Sequence, residues 1–171
     1  VAREVHAGSG QPLSLPALVA SPADVGRLIR ELKLIDEALL QLGLRDGGTA
    51  VKMPKTSHLM DLTIQLNKLN LLQAADRAAL GQYLAAVRQK APVLHISFSA
   101  DPSPAFTEKL MIWLRREIYP HTLLTIGLQP GIGAGCIVRS TNKYFDFSLR
   151  QDFVKKRELL LAELAKPEVK A

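Results

Sequence analysis

One cysteine, Cys136, stands in the 171 residues, so no internal disulfide can form and folding must rest on a packed core. Its neighbours Gly135, Ile137 and Val138 form a run that reads as a buried strand, where the thiol acts as a small apolar side chain and not as a nucleophile. Aromatic residues reach only 5% and are not interleaved with basic ones, which argues against a stacking platform for single-stranded nucleic acid. No apolar run approaches the ~20 residues of a spanning helix. The opening VAREVHAGSG lacks the apolar centre of a secretion signal, so a cytoplasmic protein is expected.

What is present is ordinary globular material, 47% hydrophobic and 22% charged. A chain this long buries about 70% of its unfolded surface on folding. The net charge of +6 suggests nucleic acid only until its distribution is read. Residues 1–90 and residues 91–171 each carry 11 Lys+Arg and 8 Asp+Glu, so the excess is spread evenly as +3 and +3. The run Lys155-Lys156-Arg157, followed by Glu158 and Glu163, reads as a solvated helix face, with a phosphate or acidic-partner patch as the alternative.

Gly8, Gly10, Pro12 and Pro16 interrupt residues 1–20, which read as a flexible leader. Ser21-Pro22-Ala23-Asp24 is a helix start, with a capping hydroxyl, a proline at the first turn and an acid at the positive end of the helix dipole. Val25, Leu28, Ile29, Leu32, Ile35, Leu39 and Leu42 follow at helical spacing as far as Gly43. Asp46-Gly47-Gly48-Thr49 is a loop, and Val51-Lys52-Met53-Pro54 a short extended piece. A second helix presents Leu59, Leu62, Leu66 and Leu69, and a third, from about Gln73 to Lys90, presents Leu80, Tyr83, Leu84 and Val87.

After Pro92 the pattern changes. VLHISFS, TLLTIGL, GCIVRS and YFDFS read as strands, the last two joined by a turn at Thr141-Asn142-Lys143. Phe106, Leu110, Trp113, Leu114 and Ile118 form the stripe of an intervening helix ended by Pro120, and residues 149–166 form a last helix carrying Phe153, Leu159, Leu160 and Leu164. The expected fold class is α+β: a leader (1–20), a helical segment (21–90) and a β-α-β-β-β-α sandwich domain (91–171) with helices on one side of the sheet.

Chemistry finds few footholds. Gly131, Gly133 and Gly135 make a G-x-G-x-G run that leads into a strand, whereas a dinucleotide fingerprint opens a helix, so the glycines read as a turn and bulge. His6, His58, His95 and His121 lack the spacing of helix-borne metal ligands. No G-x-S-x-G elbow occurs. Asp146, inside an apolar strand, reads as a buried structural acid that needs a partner. No catalytic residue, cofactor or metal site is expected.

Pro130, Ile132, Gly135, Ile137-Val138-Arg139, Lys143 and Phe145-Asp146-Phe147-Ser148-Leu149-Arg150 resemble the C-terminal signature of the F-type ATP synthase delta subunit family, which includes the oligomycin-sensitivity-conferring protein. In that family a D-P-x-L-I-G-G stretch enters a V-V-V-R strand, and I-D-G-S-V-R starts the last helix. The resemblance covers roughly residues 85–165. Gln129 replaces the family's aspartate, Gly133-Ala134 replaces isoleucine-glycine, and Phe147 replaces a glycine. The resemblance implies a non-catalytic connector of the peripheral stalk, at the inner face of the membrane. It would hold the C-terminal helices of the b subunits, with the α subunits of the head as a further partner the family contacts through its N-terminal bundle, and with no small-molecule substrate. The family's N-terminal six-helix bundle has no room before residue 91. Pro130, Gly135, Arg139, Asp146, Ser148, Arg150, Lys155, Lys156 and Arg157 are the expected structural and interface positions. A basic nucleic-acid-associated α+β module is the alternative.

Overall fold

A computed structural model describes residues 12–44, 55–150, 154 and 156–164. In chain order the elements are α1 (Pro22–Leu44), α2 (His58–Asn67), α3 (Ala74–Lys90), β1 (Val93–Phe98), α4 (Pro104–Glu117), β2 (Leu123–Leu128), a 3-10 turn (Pro130–Ile132), β3 (Gly135–Arg139), β4 (Tyr144–Ser148) and α5 (Arg157–Leu164). The chain is α+β, and among the described residues four strands form one sheet in the order β2-β1-β3-β4. β1 and β3 run antiparallel, as do β3 and β4. The bonds Leu123 N–H to Pro92 O and Gln129 N–H to Phe98 O share one offset, so β2 lies parallel to β1 and the sheet is mixed. The loop and extended piece expected over residues 46–54 lie outside the described residues.

The chain divides into two units that the expected boundary at residue 91 does not separate. One comprises residues 1–93 and 104–125, and the other residues 94–103 and 126–171. In the helical unit, Leu13, Leu15, Val19, Val25, Leu28, Leu32, Met60, Leu80, Tyr83, Leu84, Val87 and Leu123 form one buried cluster. α1 starts as its sequence dictates: the Ser21 hydroxyl accepts from Asp24 N–H at 3.2 Å, and the Asp24 carboxylate accepts from Ser21 N–H at 3.0 Å. Arg77 of α3 pairs with Asp36 of α1 and also donates to Leu71 O at 2.8 Å, which ties the α2–α3 loop to the helix pair.

Residues 13–20 are not a flexible leader. Leu13, Leu15 and Val19 are buried in the core, and Asn67 clasps Ser14, donating to its carbonyl at 2.9 Å and accepting from its N–H at 2.8 Å. The guanidinium of Arg115, on the last turn of α4, reaches the carbonyls of Leu15 (3.0 Å), Pro16 (2.8 Å), Val19 (2.6 Å) and Thr122 (3.3 Å). This segment, residues 13–20, is a strap with no helical or strand period, and distant side chains satisfy much of its backbone. Residues 1–11 lie outside the described residues.

Two helix faces also differ from expectation. α2 buries Met60, Thr63 and Asn67 and leaves Leu66 exposed. α4 buries Met111 and Leu114, whereas Phe106, Trp113 and Ile118 are about half exposed (48%, 51% and 53%). The burial of Asn67 follows from the strap, which offers it backbone partners.

Candidate protein-interaction surface

The second unit is built on the β3–β4 hairpin. Ser140 N–H donates to Lys143 O at 2.8 Å and closes the turn, while Leu149 N–H donates to Ala134 O at 3.0 Å beyond the other end. These bonds fix the phase of the ladder. The backbone groups of Phe145 and Phe147 point at β3, and those of Tyr144, Asp146 and Ser148 point at the outer edge.

Gly135 has φ of +90°, and a Cβ there would lie 2.2 Å from Phe147 O. Only glycine lets β4 close on β3 at this point. Gly133, at φ of +75°, ends the 3-10 turn opened by Pro130 and donates to its carbonyl at 3.1 Å. The glycine run thus shapes the entry to a strand, and no helix N-terminus follows it.

Asp146 is exposed, which corrects the expectation of a buried acid. At β4 its side chain has solvent around it, so burial imposes no demand for a charge partner. Its Oδ1 accepts from Ser148 N–H at 2.8 Å. The Ser148 hydroxyl and N–H hold the carboxyl below its ordinary value, and Arg150 adds to the effect. Arg139 places its guanidinium 5.3 Å from the Tyr144 ring centre, an exposed cation–π contact. Phe145 and Phe147 stack at 6.1 Å and 13° on the opposite face. Arg150, Lys156 and Arg157 are exposed, Pro130 opens its turn on the surface, and Lys155 lies outside the described residues.

The result is a strip in which Tyr144, Phe145, Phe147 and Leu149 are all at least 44% exposed, with Arg139, Lys143 and Arg150 among them. On α5, Leu159 and Leu161 are exposed as well, although the sequence pattern puts Leu159 on an apolar face. Cys136 is only half-buried, and burial still raises its thiol pKa, which disfavours the thiolate.

The helical unit has its own concave surface, a groove of about 750 Å³ lined by Ile29 and Lys33 of α1 and Ala78, Gly81, Ala85 and Arg88 of α3. Tyr83 and His121 meet in this unit, the hydroxyl lying 3.2 Å from Nδ1. Burial pushes the tyrosine well up and the histidine down, and Arg115 lowers both. A neutral imidazole whose Nδ1 accepts a hydrogen bond from the Tyr83 hydroxyl satisfies that geometry.

Sequence reasoning did not find Arg115, Asn67 or the Tyr83–His121 pair. Arg115-Arg116 at a helix C-terminus reads as solvated charge complementing the dipole, and nothing local separates the two arginines. Among the described residues no cluster of His, Cys, Asp or Glu is placed to hold a metal ion, and no helix is long and apolar enough to cross a membrane. Compared with known proteins, the chain matches no family model and no curated sequence.

Proposed function

We propose that the chain is a connector of the peripheral stalk of an F-type ATP synthase, at the inner face of the membrane, where it holds the C-terminal helices of the b subunits. The observation that carries this reading is the hairpin. The residues that resemble the delta-subunit signature run as one continuous segment from the 3-10 turn through β3 and β4 to Arg150, in which Gly135 is required for closure and the aromatic residues are left outside. A helix laid on the face that carries Phe145 and Phe147 would bury large apolar anchors, with basic residues at the rim. Anchors of this kind set the lifetime of a complex, and the rim charges set its association rate. A sheet with helices layered on one side, as in a sandwich, is the architecture this reading calls for. The groove between α1 and α3, with the small residues Ala78, Gly81 and Ala85 on its α3 side, offers the helical unit a place for a helix from the catalytic head.

Affinity capture from membrane extracts with the tagged full chain tests the reading. The expected companions are the α, β and b subunits, retained in moderate salt. Their absence, with the chain recovered folded, counts against the connector.

A second reading has one observation in its favour. Arg139, Lys143 and Arg150 are exposed among the aromatic residues of the strip, an arrangement that single-stranded nucleic acid also fits. Its mark would be binding that falls steeply with salt.

A further inference from the structure

The four described strands form a sheet with two edges, and each presents backbone groups that invite another strand. At the β2 edge, Leu124 N–H donates to Ala20 O at 2.8 Å, so the strap covers the start of that strand. The β4 edge has a different arrangement. The hairpin phase turns the N–H and C=O groups of Tyr144, Asp146 and Ser148 outward, and the Asp146 carboxylate takes the Ser148 N–H at 2.8 Å. One outward donor is thereby occupied, and a full negative charge sits at the middle of the strand.

The competing partner is a second copy of this chain, because the edge is self-complementary. Antiparallel pairing of two β4 strands about Asp146 sets Phe145 of each copy against Phe147 of the other and brings the two stacked pairs side by side as a cluster of four rings. The same register sets Asp146 against its own twin, the pairing that a sheet tolerates least. We infer that Asp146 is an edge guard: its carboxylate caps Ser148 N–H and its charge keeps two copies of the chain from joining through their β4 strands. This inference stands whether or not the stalk reading does.

The test is self-association of the full chain, followed by sedimentation across a concentration series, with circular dichroism to establish folding. Asp146→Val removes the charge, frees the Ser148 donor and leaves the β3–β4 bonds in place. It should associate at least about tenfold more tightly than wild type, a change of about 1.4 kcal/mol. Asp146→Lys, which keeps a repelling charge, should remain like wild type. Adding Tyr144→Pro to Asp146→Val deletes an outward N–H without touching the bonds to β3 and should reverse the association. If Asp146→Val does not fold, Asp146→Thr takes its place with the same expectation. A folded neutral variant that sediments like wild type overturns the inference. So does tight association by Asp146→Lys, or association that survives Tyr144→Pro.

Discussion

Arg115 brings its charge to backbone carbonyls, and burial lowers its pKa because those dipoles replace water only in part. Replacing it with methionine keeps much of the stem but leaves the Leu15, Pro16 and Val19 carbonyls without their donor. A loss of about 2 kcal/mol is expected, and Arg115→Lys should restore little of it because an ammonium lacks the planar fork. Denaturant titration of the three proteins checks this. His121 gives a pH dependence. Its folded pKa lies below its ordinary value of about 6.5, so the unfolded chain binds a proton first as pH falls. Stability should therefore be fully present above about pH 6.5 and decline as pH drops towards the folded pKa. His121→Gln should flatten that part of the melting-temperature profile. Gly135 belongs at this scale too: it is legible in sequence as a turn-and-bulge glycine, whereas the identity of the atom it avoids, Phe147 O, requires the hairpin.

At the scale of elements, α1 and α3 are readable because their apolar residues repeat with the helix. Val25, Leu28, Leu32 and Ile35 are buried on α1, and Leu80, Tyr83, Leu84 and Val87 on α3. The strap is not readable, because Pro12, Pro16 and the missing period are the same whether a segment is free or held by side chains 53 to 100 residues away. α4 shows a second limit. It carries more apolar residues than one face can bury, and periodicity alone does not decide between the Met111–Leu114 face and the Phe106–Trp113 face. Two measurements follow. Leu15→Ala should cost about 2–4 kcal/mol, as in a packed core, where a free leader would give no change. Trp113 emission should be readily quenched by a small polar quencher in the folded chain, as its 51% exposure requires.

For the molecule as a whole, the composition shift at Pro92 marks where strands begin but not where a unit ends. α4 and the start of β2 return to the helical unit, which takes Arg115 and Leu123 with them. A cut at residue 91 should therefore damage that unit: residues 1–90 alone lose the Arg115 clasp on the strap, and neither fragment should unfold with the cooperativity of the intact chain. The hairpin is legible as a segment, since GCIVRS and YFDFS read as two strands joined by a turn and the structure pairs them as β3 and β4. The exposure of Asp146 is not legible, because alternation along YFDFS does not reveal that β4 is an edge strand with both faces open to solvent.

The central claim is that this hairpin is a docking surface for an amphipathic stalk helix. Calorimetric titration of the intact chain with a peptide spanning the last helix of a b subunit tests it most directly, with Phe145→Ser/Phe147→Ser as the paired variant. The account predicts saturable binding with a negative heat-capacity change, little salt dependence, and at least about a tenfold loss in the folded variant. A folded wild-type chain that does not bind the peptide, or a variant that binds it equally well, would contradict it.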